Sequence, residues 1–227
     1  MRSTAHGRIL LALTLMALIA ANLTVLSVAP AGRVEAVQGH VTLQRGTTNG
    51  PLEAGAELFE GDRLVSGHGS SALLQIGQHR LRLGPDALLL IMRANEDANI
   101  FRLSLWLGRI WVYVQKGVAL LADFQVETPS AIAGVRGTLF SLSVAADGTT
   151  WVGVSEGIVG VSSPEGGEVV RLLPGFETTV HPGNKPEKSK KIKKNKVGGE
   201  DLKKGGKQAG DKGDNGRGDP GKKGNDG

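Results

Sequence analysis

Residues 128–140, which read TPSAIAGVRGTLF, decide the fold of this chain. Pro129 follows an alternating run, Phe124–Glu127, and proline cannot donate the N–H that a further strand residue would need, so the strand is expected to end there. A second run with strand character, Thr138–Val144, follows the glycine after Arg136. The pattern predicts two strands joined by a tight loop, from which Arg136 enters the second strand.

The pattern continues in both directions between residues 33 and 181. Short apolar or alternating runs are separated by Gly, Pro and Asp, and no sustained 3.6-residue period occurs. The predicted strands are Val34–Gln38, Val41–Arg45, Arg63–Ser66, Ser71–Ile76, Arg80–Leu83, Leu88–Met92, Phe101–Leu107, Ile110–Val114, Phe124–Glu127, Thr138–Val144, Thr150–Ser155, Ile158–Ser162, Val169–Leu172 and Glu177–Val180. We therefore predict an all-β domain, either a two-sheet sandwich or a β-solenoid.

Two glycines mark expected irregularities. The apolar residues of Phe101–Leu107 alternate at period 2, and after Gly108 the apolar phase shifts by one residue. Since a one-residue slip exchanges the two faces of a strand, Gly108 predicts a bulge or corner. Glu156 and Gly157 separate two alternating runs and predict a two-residue hairpin turn, with the glycine supplying a positive φ.

The N-terminus predicts export. Arg2 and Arg8 precede an apolar run, Ile9–Ala29, which is typical of an export signal. Residues 1–31 are expected to be either a cleaved signal peptide or a single transmembrane helix, because about 21 residues can span a bilayer. Both alternatives place the following domain in the periplasm or cell envelope, in the second case anchored in the inner membrane.

The C-terminal region, residues 182–227, differs in composition. Residues 184–227 carry a net charge of +7 and the whole chain +5, so the first 183 residues carry −2. The basic pI therefore belongs to the tail, and we expect no nucleic-acid partner. The tail holds few apolar residues and is predicted to be disordered. Its dense block Lys185–Lys196 either contacts an anionic surface or acts as a solvated spacer.

No pattern of catalytic or metal-binding residues stands out. The chain has no cysteine, and its five histidines show no ligand spacing. Residues 153–157 match G-x-S-x-G, but a strand pattern follows where a nucleophile elbow needs a helix. We expect no catalytic residue, no metal and no cofactor.

Several blocks resemble one known family, in the order in which that family carries them. The "GD…G" opening, the central "L-x-x-G" strand pair, the "TP…RGT-x-F" block and two closing glycine blocks are found. They are Gly61–Gly67, Ser70–Ile76, Leu105–Val112, Thr128–Phe140, Val154–Val161 and Leu173–Val180. Together they resemble a FecR domain.

The resemblance implies a FecR-like β domain over residues 32–181. The motif residues that we expect to define it are Gly61, Asp62, Gly67, Gly108, Thr128, Pro129, Arg136, Gly137, Thr138, Phe140, Glu156 and Gly157. Asp62 is expected to bind local backbone N–H groups in a turn. Arg136 is expected either to bridge backbone carbonyls, Asp62 or Glu156 as an architectural clamp, or to contact a ligand.

The resemblance also frames the expected function. FecR proteins that regulate sigma factors carry a cytoplasmic sigma-binding domain before a membrane span, whereas here eight residues precede the apolar run. We therefore expect a non-catalytic extracytoplasmic domain that binds an envelope protein or polysaccharide. The alternative is an accessory component of transmembrane signalling without its own sigma-binding domain.

Overall fold

The structure is a computed structural model that describes residues 29–95, 98, 100–115, 123–193 and 197–203. The predicted N-terminal hydrophobic helix, up to residue 28, and the tail from residue 204 onward lie outside the described residues. Within the described part, no helix has the length and apolar character needed to cross a membrane.

The prediction of an all-β fold is confirmed. The strands are β1 (Gly32–Gln38), β2 (Val41–Arg45), β3 (Thr48–Pro51), β4 (Glu57–Leu58), β5 (Arg63–Ser66), β6 (Ser71–Ile76), β7 (His79–Leu83), β8 (Leu88–Asn95), β9 (Ile100–Tyr113), β10 (Asp123–Glu127), β11 (Ile132–Val144), β12 (Thr150–Ser162), β13 (Val170–Leu172), β14 (Phe176–Val180) and β15 (Lys190–Lys191); a short 3₁₀ helix spans Glu200–Lys203.

All of these strands belong to one hydrogen-bonded sheet, which we divide into two arms. Arm A has the order β3–β2–β5–β8–β9–β10–β11–β12–β13, and arm B has the order β4–β1–β6–β7–β9–β11–β12–β14–β15. Three long strands, β9, β11 and β12, contribute one half to each arm. The sheet also closes on itself, because β9 and β11 pair directly in arm B and through β10 in arm A.

Each shared strand changes arm at a glycine with positive φ. These are Gly108 in β9 (φ 81°), Gly137 in β11 (φ 57°) and Gly157 in β12 (φ 78°). At Gly108 the strand exchanges its partner β8 for β7, which explains the phase shift in its sequence. A Cβ at Gly108 would lie 2.5 Å from the Cα of Ala87, so the close approach also requires glycine.

The two arms enclose one hydrophobic core. The inward side chains of both arms form a single cluster in which Phe101, Phe124 and Phe140 are fully buried. The imidazole of His79 in arm B packs edge-on against Phe101 and Phe124 of arm A, with ring centroids 4.6 and 5.2 Å apart. Burial of each such phenyl ring contributes about 2–3 kcal/mol to the free energy of folding, so this aromatic packing helps to hold the two arms together.

Two local predictions around the long strands are wrong. Glu156 and Gly157 form no hairpin turn, because β12 runs through them as one strand and pairs with β11 on both sides of the bend. Residues 132–137 are not a loop either, since β11 begins at Ile132, and Arg136 lies within it opposite Ile158. In both places a glycine, Gly157 in β12 and Gly137 in β11, allows the strand to bend, and the pairing of β11 with β12 on both sides of the bend keeps the strand continuous.

The described domain continues beyond the predicted boundary at residue 181. β15 pairs with β14, and residues 197–203, which we call the C-terminal strap, lie against the outer face of arm B. Leu202 is buried, and the indole Nε1–H of Trp111 donates to the carbonyl of Val197 at 2.6 Å. Residues 190–193 and 197–203, which fall within the segment predicted to be disordered, are attached to the domain by apolar side chains and hydrogen bonds.

The arm change at Gly108 can be tested by adding one methyl group. Gly108→Ala is expected to lower the free energy of unfolding by at least about 2 kcal/mol, because it combines a positive φ with a clash against backbone. Gly134→Ala is the matched control, since its Cβ would meet no atom within 4 Å, and we expect a change within about 0.5 kcal/mol. Urea denaturation of both variants measures the difference, and equal stability would contradict the steric role of Gly108.

Candidate binding site

The outer face of arm A carries an open depression at the bends of β11 and β12. Ala133 and Val135 of β11 point into the core, so Gly134 and Arg136 point outward. Gly134 lies directly opposite Gly160 of β12, and the register next to them pairs Arg136 with Ile158. The depression has a volume of about 570 Å³ and is lined by Phe124, Gly134, Val135, Arg136, Gly137, Gly157 and Ile158.

This depression, which we call the Arg136 depression, combines three kinds of surface. Its floor at Gly134 has no side chain, and a Cβ built there would point into open space. One wall is apolar, because Ile158 is 52% exposed although it is a large hydrophobic residue. The other wall is the exposed, cationic Arg136. A glycine floor beside a directly paired cation and apolar group can accept a ligand that has both an anionic or polar group and an apolar face.

Arg136 does not contact Asp62 or Glu156, the two carboxylates that were expected to bind it in an architectural clamp. Its side chain is exposed and makes no hydrogen bond or ion pair with the residues that the structure describes. Asp62 is bound by Arg45 instead, and Glu156 is paired with Lys203 of the C-terminal strap. Arg136 is therefore left available to contact a ligand, which is the second of the two roles considered from the sequence.

Asp62 is the centre of a separate buried ion pair. Its carboxylate is fully buried and accepts hydrogen bonds from Nε and a terminal nitrogen of Arg45, both at 2.7 Å. It also accepts the backbone N–H of Phe59 at 2.8 Å, as expected for an aspartate in this turn. The hydrogen bond to Asp62 raises the pKa of Arg45, which also stacks on the ring of Phe59. We infer a structural role for this ion pair, because the carboxylate of Asp62 is already bound by Arg45 and by the backbone N–H of Phe59.

The turn glycines around Asp62 have different roles. Gly61 has a φ of 87° and donates its N–H to the carbonyl of Ile91. Gly67 donates to the carbonyl of His40 without needing a positive φ. They hold the connections on either side of β5 in place and are not among the residues that line the Arg136 depression.

Thr128 and its neighbours form a buried hydroxyl cluster at the start of β11. The hydroxyl groups of Thr128 and Ser130 each lie 2.8 Å from that of Thr150, and Thr128 accepts the backbone N–H of Ala131. Pro129 is exposed on the surface of this turn. The cluster fixes the turn between β10 and β11 and so positions the strand that carries Arg136.

Thr138 and Phe140 support the depression from within. Phe140 is fully buried in the core between Val112 and Val154. Thr138 is buried at the bend, and a Cβ at Gly157 would lie 2.5 Å from its methyl group. The RGT block thus places one outward residue, Arg136, beside a bend that the next two residues stabilise.

The outer face of arm B is occupied, in contrast. The C-terminal strap covers Trp111 and Leu139 there, and Arg82 pairs with Asp201 of the strap. The guanidinium of Arg109 lies over the ring of Trp111 at 5.8 Å. Among the described residues, the open face is therefore that of arm A.

No other cluster suggests metal binding or catalysis. Within the described residues, no group of three or more His, Asp and Glu side chains could hold a metal ion. Burial lowers the pKa of His79 to about 4, so this imidazole is neutral in the core near pH 7. Its Nδ1 accepts the backbone N–H of Gln115, and its role is packing.

These features define the class as an all-β domain with a cation-walled depression on one face. The model of the FecR protein family matches residues 62–160, which include Asp62, the RGT block and Gly157. The match agrees with the resemblance to a FecR domain that the sequence motifs indicated. No curated protein sequence matches the chain.

Two solved structures are similar to this chain. They are crystal structures, at 2.50 and 1.65 Å resolution, of a provisionally named anti-sigma factor from Parabacteroides distasonis. Each aligns at 22% identity and a TM-score of 0.49. The match covers 57% of this chain and 59% of the other, so the alignment spans less than two thirds of that protein.

The roles of Arg136 and Asp62 can be separated by measurements of stability. Asp62→Ala is expected to lower the free energy of unfolding by about 2 kcal/mol, because it removes the fully buried carboxylate that binds Arg45 and the backbone N–H of Phe59. Arg136→Ala is expected to change it by no more than about 0.5 kcal/mol, because the side chain is exposed. Thermal denaturation reports both, and a large loss in Arg136→Ala would restore the clamp role.

Proposed function

We propose that this chain is a non-catalytic, extracytoplasmic binding protein whose FecR domain holds an envelope protein or polysaccharide at the Arg136 depression. The observation that carries the proposal is the exposed guanidinium of Arg136, without a partner among the described residues, opposite the exposed Ile158 on a glycine floor. Since the same face lacks an acid–base pair or metal cluster in the described part, its chemistry suits recognition.

The rigidity of the surroundings favours binding by a preformed site. Arg136 and Ile158 lie on paired strands, and the depression lies on the outer layer of a folded sheet whose arms we infer to act as two layers of a sandwich. Strand-borne side chains lose little backbone entropy when a ligand arrives. A ligand would therefore meet a flat, ordered surface.

Binding at the depression can be tested with the full chain immobilised. Arg136→Gln is expected to weaken the capture of a ligand, taken from separated protein and polysaccharide fractions of the envelope, by about five-fold or more. Arg33→Gln is the matched control, because it removes an exposed arginine of the same charge from β1 in arm B. Equal capture by the two variants would rule out the depression as the contact site.

A second proposed role is that of an accessory component in transmembrane signalling. It is favoured by the FecR domain over residues 62–160 together with the apolar run Ile9–Ala29, which could hold the domain at a membrane. In this role the ligand of the FecR domain would be sensed outside the cytoplasm, and a separate membrane partner would pass the signal on.

The state of the N-terminus distinguishes the two roles. N-terminal sequencing of the mature protein from an envelope fraction is expected to begin after residue 21 or near residue 31 if the segment is a signal peptide. A retained Ile9–Ala29 segment, with the domain accessible to protease from outside, would favour the signalling role. A full-length chain found in the cytoplasm would contradict both.

A further inference from the structure

The outer face of arm A carries an array of exposed arginines that extends beyond the Arg136 depression. Four exposed arginines point outward from four different strands of this arm: Arg63 on β5, Arg93 on β8, Arg136 on β11 and Arg171 on β13. Residues 1–183 hold twelve arginines but a single lysine, so the positive charge of this part of the sequence is carried almost entirely by arginine. We call these four residues the arginine face.

Strand register places these arginines on the same side of the sheet. Directly paired residues point to the same face, and one such row crosses arm A from β8 to β13. The row runs through Arg93, Arg102, Gln125, Gly134, Gly160 and Arg171. Arg136 follows Gly134 by two residues, and Arg63 joins the same face through its pairing with Leu90 of β8.

The arginines of the two arms differ in their partners. In arm B, Arg80 pairs with Glu35 and Arg82 with Asp201. None of the four side chains of the arginine face makes an ion pair or hydrogen bond with the described part of the chain. The half-buried Glu127 lies on this face, and the carboxylate of Glu60 accepts the backbone N–H of Ala94, the residue after Arg93. Within the described residues, the four guanidinium groups of the arginine face therefore have no ion-pair partner.

The width of the arginine face and the residues between its arginines indicate the shape of a partner. Neighbouring strands lie about 4.8 Å apart, so Arg93 and Arg171, five strands apart, are separated by roughly 24 Å across the sheet. That span exceeds a single small anion and suits a chain. Gly134, in the middle of the row, leaves open space above the sheet, and the exposed Val169 lies over its partner Gly160, so a chain can lie against glycine and an apolar side chain there.

We propose that the arginine face binds a linear anionic polysaccharide, with carboxylate groups on the arginines and sugar rings over the glycine floor. This inference rests on the proposed function and names the class of ligand. Guanidinium groups bind carboxylates in a two-pronged geometry, and the exposed Ile158 offers an apolar surface to sugar C–H groups. A single-stranded nucleic acid fits less well, because it needs stacked aromatic rings, and Trp106 is the one exposed aromatic that the described residues place on arm A.

The test compares a charged polymer with its neutral form. Polygalacturonate is the probe, and its methyl-esterified form, which keeps the sugar backbone without the charge, is the reference. The full chain is expected to bind polygalacturonate, and the triple variant Arg63→Gln, Arg93→Gln, Arg171→Gln is expected to bind it at least about ten-fold more weakly at low ionic strength. The variant leaves Arg136 in place, and an unchanged melting temperature shows that it folds.

A charge-matched control excludes the basic tail as the cause. The variant Lys185→Gln, Lys188→Gln, Lys191→Gln removes the same charge from exposed positions outside arm A and is expected to change the affinity less than two-fold. A larger loss in the lysine variant than in the arginine variant overturns the proposal in favour of the tail. Equal binding of the esterified polymer also overturns it.

Two further outcomes separate this inference from the proposed function. If the triple variant binds polygalacturonate like the wild type while Arg136→Gln does not, the arginine face is overturned and the depression stands. If single-stranded DNA or vesicles of phosphatidylglycerol bind the arginine face more tightly than the polysaccharide, the ligand class is overturned. If neither polymer nor any envelope fraction binds the chain, the proposed function itself fails.

Discussion

The two-arm architecture depends on a steric constraint at three points of the backbone. The strands β9, β11 and β12 can pair in both arms only because each bends sharply at a glycine with positive φ. At two of these points, Gly108 and Gly157, a Cβ would lie 2.5 Å from neighbouring atoms. L-residues with side chains adopt this conformation at a cost, and here they would also clash. The bends allow a single sheet to fold around one core without a free central edge.

The bends also decide which residues face outward. A bulge or bend changes the alternation of a strand, so the side chains after it point in a new direction. In β11 the residue just before the bend is Arg136, which lies on the outside, and the residue just after it is the buried Thr138. The RGT block is therefore an architectural element that exposes one arginine as a consequence of its geometry. The same block thus links the fold to a surface that can bind.

Both outer faces of the protein carry arginines, but the described partners of these arginines differ. On arm B, Arg80 pairs with Glu35 and Arg82 with Asp201 of the C-terminal strap, and the indole of Trp111 holds the strap through a hydrogen bond to Val197. On arm A the arginines of the arginine face remain exposed. Exposed charge without a partner contributes little to the stability of a fold, so its clustering on one face is better explained by recognition. The ion pair of Asp62 and Arg45 shows that this chain does pair its charges where structure requires it.

The sequence by itself determined the all-β class, the FecR resemblance and the irregularity at Gly108, because alternation, glycine spacing and the RGT block are local signals. It did not determine the continuous passage of β12 through Glu156 and Gly157, since a glycine with positive φ is compatible with a turn or with a bend, and only pairing with β11 decides between them. It also did not reveal that residues 190–191 and 197–203 attach to arm B, because a lysine-rich segment is expected to be solvated unless partners such as Trp111 and Arg82 are known. Arg136 was recognised as a candidate, but its freedom from Asp62 and Glu156 depended on where Arg45 and Lys203 lie in space. Which basic side chain pairs with a given carboxylate is decided by the tertiary structure, because charges far apart in the sequence meet only after the sheet has folded.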